Sequence, residues 1–328
     1  MQKTPSERAP PLQRISLHGP TMGTRWSVLC DAAAPLDQRA LHAELAAAVD
    51  AVDQQMSPYK PDSALMRLNR CAPGQWLALP PQIVEVLARA LQIARASDGA
   101  FDPGVGQLVN AWGFGAERDA PDAAAIRAAA QAPRAPLHDA LELDAPAGRA
   151  RKHAPLQLDL CGIAKGYAVD RMADVLRRHG VAHALVALDG ELRACGSQAD
   201  GQPWAVALES PQIGRRAVHG VLELSDIAVA TSGNYRRGFQ LGDARLSHTM
   251  DGRRAAPLRS DVASVTVLAP DCMSADAWAT ALLVAGPGAG LAMAQRHRLE
   301  ALWLVQRDGR LVEVGLGRFG SAGVPAGG

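Results

Sequence analysis

Residues 156–179 read LQLDLCGIAKGYAVDRMADVLRRH. Leu156, Leu158 and Leu160 alternate with polar residues, which predicts a short strand. From Ile163 the period changes. Ala164, Tyr167, Ala168, Met172, Val175 and Leu176 share one face of a helix that runs to His179. Gly180 follows, where a left-handed residue commonly closes a helix. A strand that passes through Gly162 into a helix start gathers free backbone amides and a positive helix end around 162–166, a place suited to an anion. Lys165 can add a point charge for a phosphate. The spacing matches neither the GxxxxGK[ST] phosphate loop nor the Rossmann glycine turn. A tight strand–helix junction with a surface lysine accounts for the same residues, so both readings stay open.

Downstream, strands are predicted at 184–188, 203–209, 219–224, 226–230 and 262–269, and Asp189-Gly190 makes a turn after the first of them. Leu302–Gln306 and Leu311–Val314 form a closing hairpin around Asp308-Gly309. Upstream, a strand is expected within 15–30 and helices over 36–55, 81–96 and 123–131. Pro133, Pro136 and the 145–148 segment mark loops, so a sub-domain junction is expected near 133–155. The strands follow one another with few obligatory crossovers, which favours α+β over a doubly wound sheet. Ala277–Met293 is uncharged and of near-spanning length, but Gly286-Pro287-Gly288 interrupts it. Two buried helices with a turn between them are expected, not a membrane span.

Composition narrows the function. The chain has 328 residues with a net charge of +1, which argues against a basic nucleic-acid binder. The paired arginines at 177–178, 215–216, 236–237 and 253–254 are scattered, as on solvated faces. The five cysteines are far apart with no CxxC pair, which excludes a zinc ribbon or a thioredoxin motif. Residues 1–14, MQKTPSERAPPLQR, hold no apolar stretch of signal-peptide length. They are expected to be a disordered lead, and 319–328 a loose tail. As written the chain is expected in the cytoplasm; a start further upstream would allow a periplasmic lipoprotein.

Other segments are richer in special residues than a core requires. Gly19-Pro20-Thr21-Met22-Gly23-Thr24 is either a tight turn or a loop that brings backbone close to a ligand. Asp98-Gly99-Ala100-Phe101-Asp102-Pro103 precedes Trp112-Gly113-Phe114-Gly115. Aromatics are only 4% of the chain, so this grouping suggests either a flat ligand or a local core plug. Asp276 and Thr280 are spaced i, i+4 on the helix that opens near Ser274. Together they suit a hard cation such as Mg²⁺. The competing reading is a Ser274 N-cap with Asp276 stabilising the helix dipole. Thr231–Tyr235 is a ligand-facing turn or a hairpin end, and His248 lies alone in SHTMD (247–251).

Taken in order, TMGT (21–24), MSPYKPDSALMRLN (56–69), DGAFDPGVGQLVNAWGFG (98–115), DLCGIAKGYAVD (159–170), ATSGNYRR (230–237), SHTMD and ADAWATAL (275–282) resemble the ApbE-like family, the FAD:protein FMN transferases. The resemblance covers 15 to about 316, as one domain over 15–318. It implies a duplicated T-fold-like α+β arrangement with a flavin cleft between the parts. It also implies cleavage of FAD, transfer of FMN to a Thr or Ser hydroxyl of a target flavoprotein, and release of AMP. By position, Met22, Tyr59, Ala100, Phe101, Asp102, Asp159, Lys165 and Thr249 would line the FAD site. Asp276 and Thr280 would hold Mg²⁺ with a backbone oxygen of Gly162. His248 would be the general base, since a histidine titrates near working pH, with Asp251 as second choice. The chain departs from the family at Cys161-Gly162, at Asp189-Gly190 and in the loop Asp251–Pro257, where relatives usually read DxxTGxP. The alternatives are hydrolysis of FAD to FMN and AMP, or flavin binding without catalysis.

Overall fold

The computed structural model describes residues 12–33, 35–211, 217–234, 238–241 and 244–320. Most of the expected lead, most of the tail, Arg215, Arg216 and 235–237 lie outside these residues. The first half runs β1 (Leu12–Thr21), β2 (Thr24–Ala33), α1 (Gln38–Met56), α2 (Ala64–Arg70), β3 (Trp76–Ala78), α3 (Pro81–Ala96), α4 (Gly106–Ala111), α5 (Ala123–Gln131), α6 (Leu137–Ala140), β4 (Leu141–Asp144) and β5 (Arg149–Lys152). The second runs α7 (Ala164–Arg178), β6 (His183–Leu188), β7 (Glu191–Cys195), β8 (Trp204–Glu209), β9 (Val218–Leu224), β10 (Ile227–Gly233), β11 (Gly238–Leu241), β12 (Ala244–Ser247), β13 (Met250–Asp251), β14 (Ala256–Pro257), β15 (Val262–Ala269), α8 (Cys272–Arg296), β16 (Glu300–Arg307) and β17 (Arg310–Leu316).

The fold is α+β, built on an eight-stranded sheet in the order β1-β2-β6-β7-β10-β15-β16-β17. Every neighbouring pair in it is antiparallel. Alternation along the strands gives each face its own core. Ala301, Trp303 and Val305 of β16 join the large core beneath α1, α7 and α8. Leu302 and Leu304 face the other way, against Trp204, Leu222 and Leu224 of the β8–β9 ribbon. Three layers result: helices, sheet and a two-stranded cover.

Local sequence explains the helices. Asp37 caps α1 by accepting from Arg39 N and Ala40 N, and Leu41, Leu45, Val49, Val52 and Met56 form its buried stripe. α8 is buried nearly all round and is broken at Gly286, whose φ is 68°. Among the described residues it is the one helix long and apolar enough to cross a membrane. Its first half is packed inside the core against the sheet, where Ala275, Ala277, Ala279 and Leu282 are fully buried.

Several expectations change. The single strand expected within 15–30 is two, β1 and β2, joined by Met22-Gly23, and β1 takes in residues 12–14 of the expected lead. Both loop residues have positive φ, 45° and 70°, as a two-residue hairpin turn requires. The 156–160 segment joins no sheet among the described residues. The Asn69 side chain takes both of Leu158's backbone groups, donating to its carbonyl at 2.9 Å and accepting from its amide at 2.8 Å. Between the loops at 133–136 and 145–148 the segment carries α6 and β4, and β5 follows, with Leu137, Leu141 and Ala150 in the main core. α8 opens at Cys272 with Asp271 as its cap, accepting from Ser274 N at 2.7 Å, so Ser274 is not the N-cap.

Candidate functional site

The start of α7 and the first turns of α8 meet at the centre of the site. Ile163 precedes α7 without a side-chain cap. The first-turn amide of Gly166 donates instead to Oδ2 of Asp276, at 3.0 Å. The anion at this helix start is therefore one of the protein's own carboxylates. The approach is close: a Cβ on Gly166 would sit 2.2 Å from the Cys272 carbonyl oxygen. Thr280 lies one turn along α8 from Asp276, and its Oγ1 is 3.0 Å from where a Cβ of Gly162 would stand. Asp276 lies in the second turn of α8, behind its own cap, so the dipole reading does not account for its position. Gly162, Asp276 and Thr280 are thus gathered at one corner.

Two further polar groups border this corner: Ser232, from the segment read as a ligand-facing turn or a hairpin end, and Glu191, which the sequence did not single out. Ser232 of β10 shares a hydrogen bond with Thr280, Oγ to Oγ1 at 3.1 Å. Glu191, at the start of β7, takes both contacts from Lys165, 2.7 and 2.8 Å from Nζ. Asp189 is 3.7 Å from the same ammonium. Burial opposes the Lys165 charge, but Glu191, Asp276 and Asp189 together outweigh it and raise the pKa. Burial pushes the Asp276 carboxyl up to about 6, against the opposing pull of Lys165 and of the Gly166 amide. Burial also raises Glu191, against its contacts to Lys165. Lys165 is therefore an ion-paired lysine, not the free surface charge that the junction reading allowed. A Glu at the first strand position after a turn carries little signal in sequence.

Asp170 is a further buried acid that sequence reasoning missed. It accepts from Cys272 N at 3.0 Å and Met273 N at 2.9 Å, and pairs with Arg193. It joins α7 to the start of α8 and so sets where Asp276 stands.

A second group lies around Asp102. Its Oδ1 accepts from Gly104 N at 2.8 Å and its Oδ2 from Arg134 at 2.7 Å. A Cβ on Gly252 would come 2.2 Å from Oδ2, so the 250–257 loop packs directly on Asp102. Asp159 donates from its amide to the Pro103 carbonyl at 2.8 Å and accepts from Cys161 N at 2.7 Å. Ala100 and Phe101 are buried, and the Phe101 ring lies 3.5 Å from the Cβ position of Gly162. The aromatic grouping read from the sequence divides. Phe101 enters the main core, whereas Trp112 and Phe114 belong to a small cluster with Leu108 and Met250.

A third group carries the histidine. His248 stands edge-on to Phe114, with ring centroids 6.4 Å apart. The Tyr59 hydroxyl donates to the Phe114 carbonyl at 3.4 Å, and the Tyr59 ring is exposed. The segment is held from below: Ser247 donates to the Asn234 side chain, and Thr249 N donates to Ser247 Oγ at 2.9 Å. Asp251 is buried and accepts from Arg253 N at 3.0 Å, which gives it a turn-holding contact. Met22 lies at the β1–β2 turn, beside a cleft of about 500 Å³ that also touches Asp50 and Asp53 of α1. None of the other candidate residues lines that cleft.

The side-chain donors at the α7–α8 corner are hard oxygens, the Asp276 carboxylate and the Thr280 and Ser232 hydroxyls, with the Gly162 backbone beside Thr280. Among the described residues no cluster of three His, Cys, Asp or Glu side chains could hold a metal. A corner with a single carboxylate still fits Mg²⁺, which usually fills its shell with water and substrate phosphate.

A family model described as the ApbE family matches residues 22–303. The chain is similar to an FAD:protein FMN transferase of Vibrio cholerae serotype O1, 36% identical over 300 residues that cover 91% of this chain and 89% of that protein. It is similar to another of Klebsiella pneumoniae, 35% identical over 299 residues, covering 89% and 84%. Among solved structures it is similar to flavin transferase ApbE from Vibrio cholerae, with a TM-score of 0.84 and 34% identity over 94% of this chain and 99% of that one. The apo form of Pseudomonas stutzeri flavinyl transferase ApbE also gives a TM-score of 0.84, with 35% identity over 95% and 98%.

Proposed function

The chain belongs to the ApbE family, and we propose that it is an FAD:protein FMN transferase that works with Mg²⁺. The observation that carries this reading is the α7–α8 corner, where Gly162, Asp276 and Thr280 meet beside the paired Lys165.

In the proposed reaction an acceptor Thr or Ser hydroxyl of a target flavoprotein attacks the FMN phosphorus of FAD. The new bond joins the acceptor oxygen to that phosphorus, and the phosphorus–oxygen bond to AMP breaks. The hydroxyl proton passes to a ring nitrogen of His248. Gly162, through its carbonyl, Asp276 and Thr280 would hold the magnesium ion. When bound, that ion supplies charge neutralisation on the diphosphate and on departing AMP. Lys165 adds a fixed positive charge beside the same point. Phe101 closes the floor under Gly162, and exposed Tyr59 with Phe114 offers aromatic surface to the flavin ring beside His248. Positioning of this kind, with little covalent work for the protein, is what phosphoryl-type transfer demands.

The test is incubation with FAD and Mg²⁺, with and without an acceptor flavoprotein. Acceptor-dependent AMP release with covalent flavin fluorescence on the acceptor is expected. AMP release that ignores the acceptor would instead assign FAD hydrolysis, and no AMP would leave flavin binding alone.

A further inference from the structure

Lys165 and Gly166 are adjacent at the start of α7, yet their contacts diverge. The Gly166 amide reaches Asp276, while the Lys165 ammonium turns to Glu191. No ion pair joins Lys165 to Asp276 among the described residues, although the ammonium is near enough to pull on the Asp276 carboxyl. Asp276 Oδ2 is engaged by Gly166, and Oδ1 takes no hydrogen bond among the described residues. Glu191 is well placed to cause this divergence. It follows the two-residue turn Asp189-Gly190 and is registered opposite Leu188 in the sheet, so its backbone cannot drift. Its side chain is only 4% exposed, and both of its oxygens contact one ammonium.

The geometry points to Glu191 as a positioning residue: by holding the Lys165 ammonium, it leaves Asp276 open to a divalent cation. This inference rests on the reading of Asp276 and Thr280 as the metal corner. Lysine is a compact charge on a flexible four-carbon stem. Released from Glu191, it would turn to the nearest buried carboxylate, neutralise Asp276 and compete with the metal. With Glu191 in place, the ammonium is engaged by Glu191 at 2.7 Å and lies 3.7 Å from Asp189, and no ion pair takes it to Asp276 among the described residues.

The experiment measures Mn²⁺ binding to the full chain by electron paramagnetic resonance, without FAD, with melting temperatures on the same samples. Glu191→Gln is expected to weaken binding about 10–100-fold, the usual loss when an outer-shell partner is removed. Glu191→Asp keeps the charge but draws the carboxylate back, and is expected to weaken binding as well. Lys165→Met, alone or combined with Glu191→Gln, removes the competitor and is expected to bind at least nearly as tightly as wild type. Wild-type affinity in Glu191→Gln overturns the inference. So does wild-type affinity in Glu191→Asp, which would assign the effect to charge alone. Weakened binding in Lys165→Met overturns it too, and that variant serves if the Glu191 variants melt early. Failure of the metal reading itself looks different: wild type and Asp276→Asn would then bind Mn²⁺ equally poorly.

Discussion

The backbone amide of Gly166 donates to Oδ2 of Asp276 across 3.0 Å, joining the first turn of α7 to the second turn of α8. Residues 110 positions apart in the chain thereby define one corner. The contact exists because residue 166 lacks a Cβ, which would otherwise stand 2.2 Å from the Cys272 carbonyl. Gly166→Ala is therefore expected to push the helices apart and cost about 1–3 kcal/mol, as overpacking usually does. It should also raise the Mg²⁺ concentration needed for AMP release. Denaturant melts and a magnesium titration on the same sample check both.

Asp276→Asn keeps the shape and an oxygen for the Gly166 amide but removes the charge. Burial already pushes that carboxyl up to about 6, so its ionised form is costly in the metal-free protein. The variant is expected to melt no lower than wild type at neutral pH and to lose Mg²⁺-dependent AMP release. A wild-type magnesium curve would remove the metal corner from Asp276.

His248 and Asp251 are expected to separate. His248→Ala should lower transfer about 10²–10⁴-fold, the range for a general base, with FAD affinity little changed. Asp251→Ala leaves the Arg253 amide without its acceptor and should cost about 1–3 kcal/mol of stability. Transfer rates and melts of the two variants, side by side, decide between a chemical and a turn-holding role.

FAD should bind more tightly than FMN, because only FAD offers a diphosphate to a magnesium ion held at the α7–α8 corner and to the nearby Lys165 charge. Isothermal titration with both ligands in Mg²⁺ measures this. Equal affinities would rule out a diphosphate site there.

Acid stability should depend on Asp31. The Arg14 guanidinium, bonded to it at 2.7 Å through both oxygens, holds its carboxyl below the ordinary value against the effect of burial, and the Ala199 amide helps. A depressed folded pKa means that the stability is present above the unfolded carboxylate pKa and is lost as pH falls through the folded one. Wild type should therefore lose stability on acidification below about pH 4. Asp31→Asn should show a shallower acid limb and a lower melting temperature at neutral pH. Melting curves from neutral pH downward test this.

Periodicity is a local property, and what depends on it was legible. The stripes of α1, α3 and α7, the β15 span and the β16–β17 hairpin follow from which residues are apolar and how far apart they lie. The i, i+4 spacing of Asp276 and Thr280 likewise placed both on one turn, because a helix has a fixed pitch. The partners of those residues were not legible. Asp276 meets Gly166, Thr280 meets Ser232, Lys165 meets Glu191, and Phe101 parts company with Trp112 and Phe114. Leu156–Leu160 has the alternation of a strand, yet the Asn69 side chain takes the place of a neighbouring strand at Leu158. Sequence alone determined the α+β class, the helix faces and which residue types could carry chemistry. Only the tertiary structure decided which of them touch, because long-range contacts depend on how closely packed elements approach, and a missing Cβ at Gly166 sets that distance at the site.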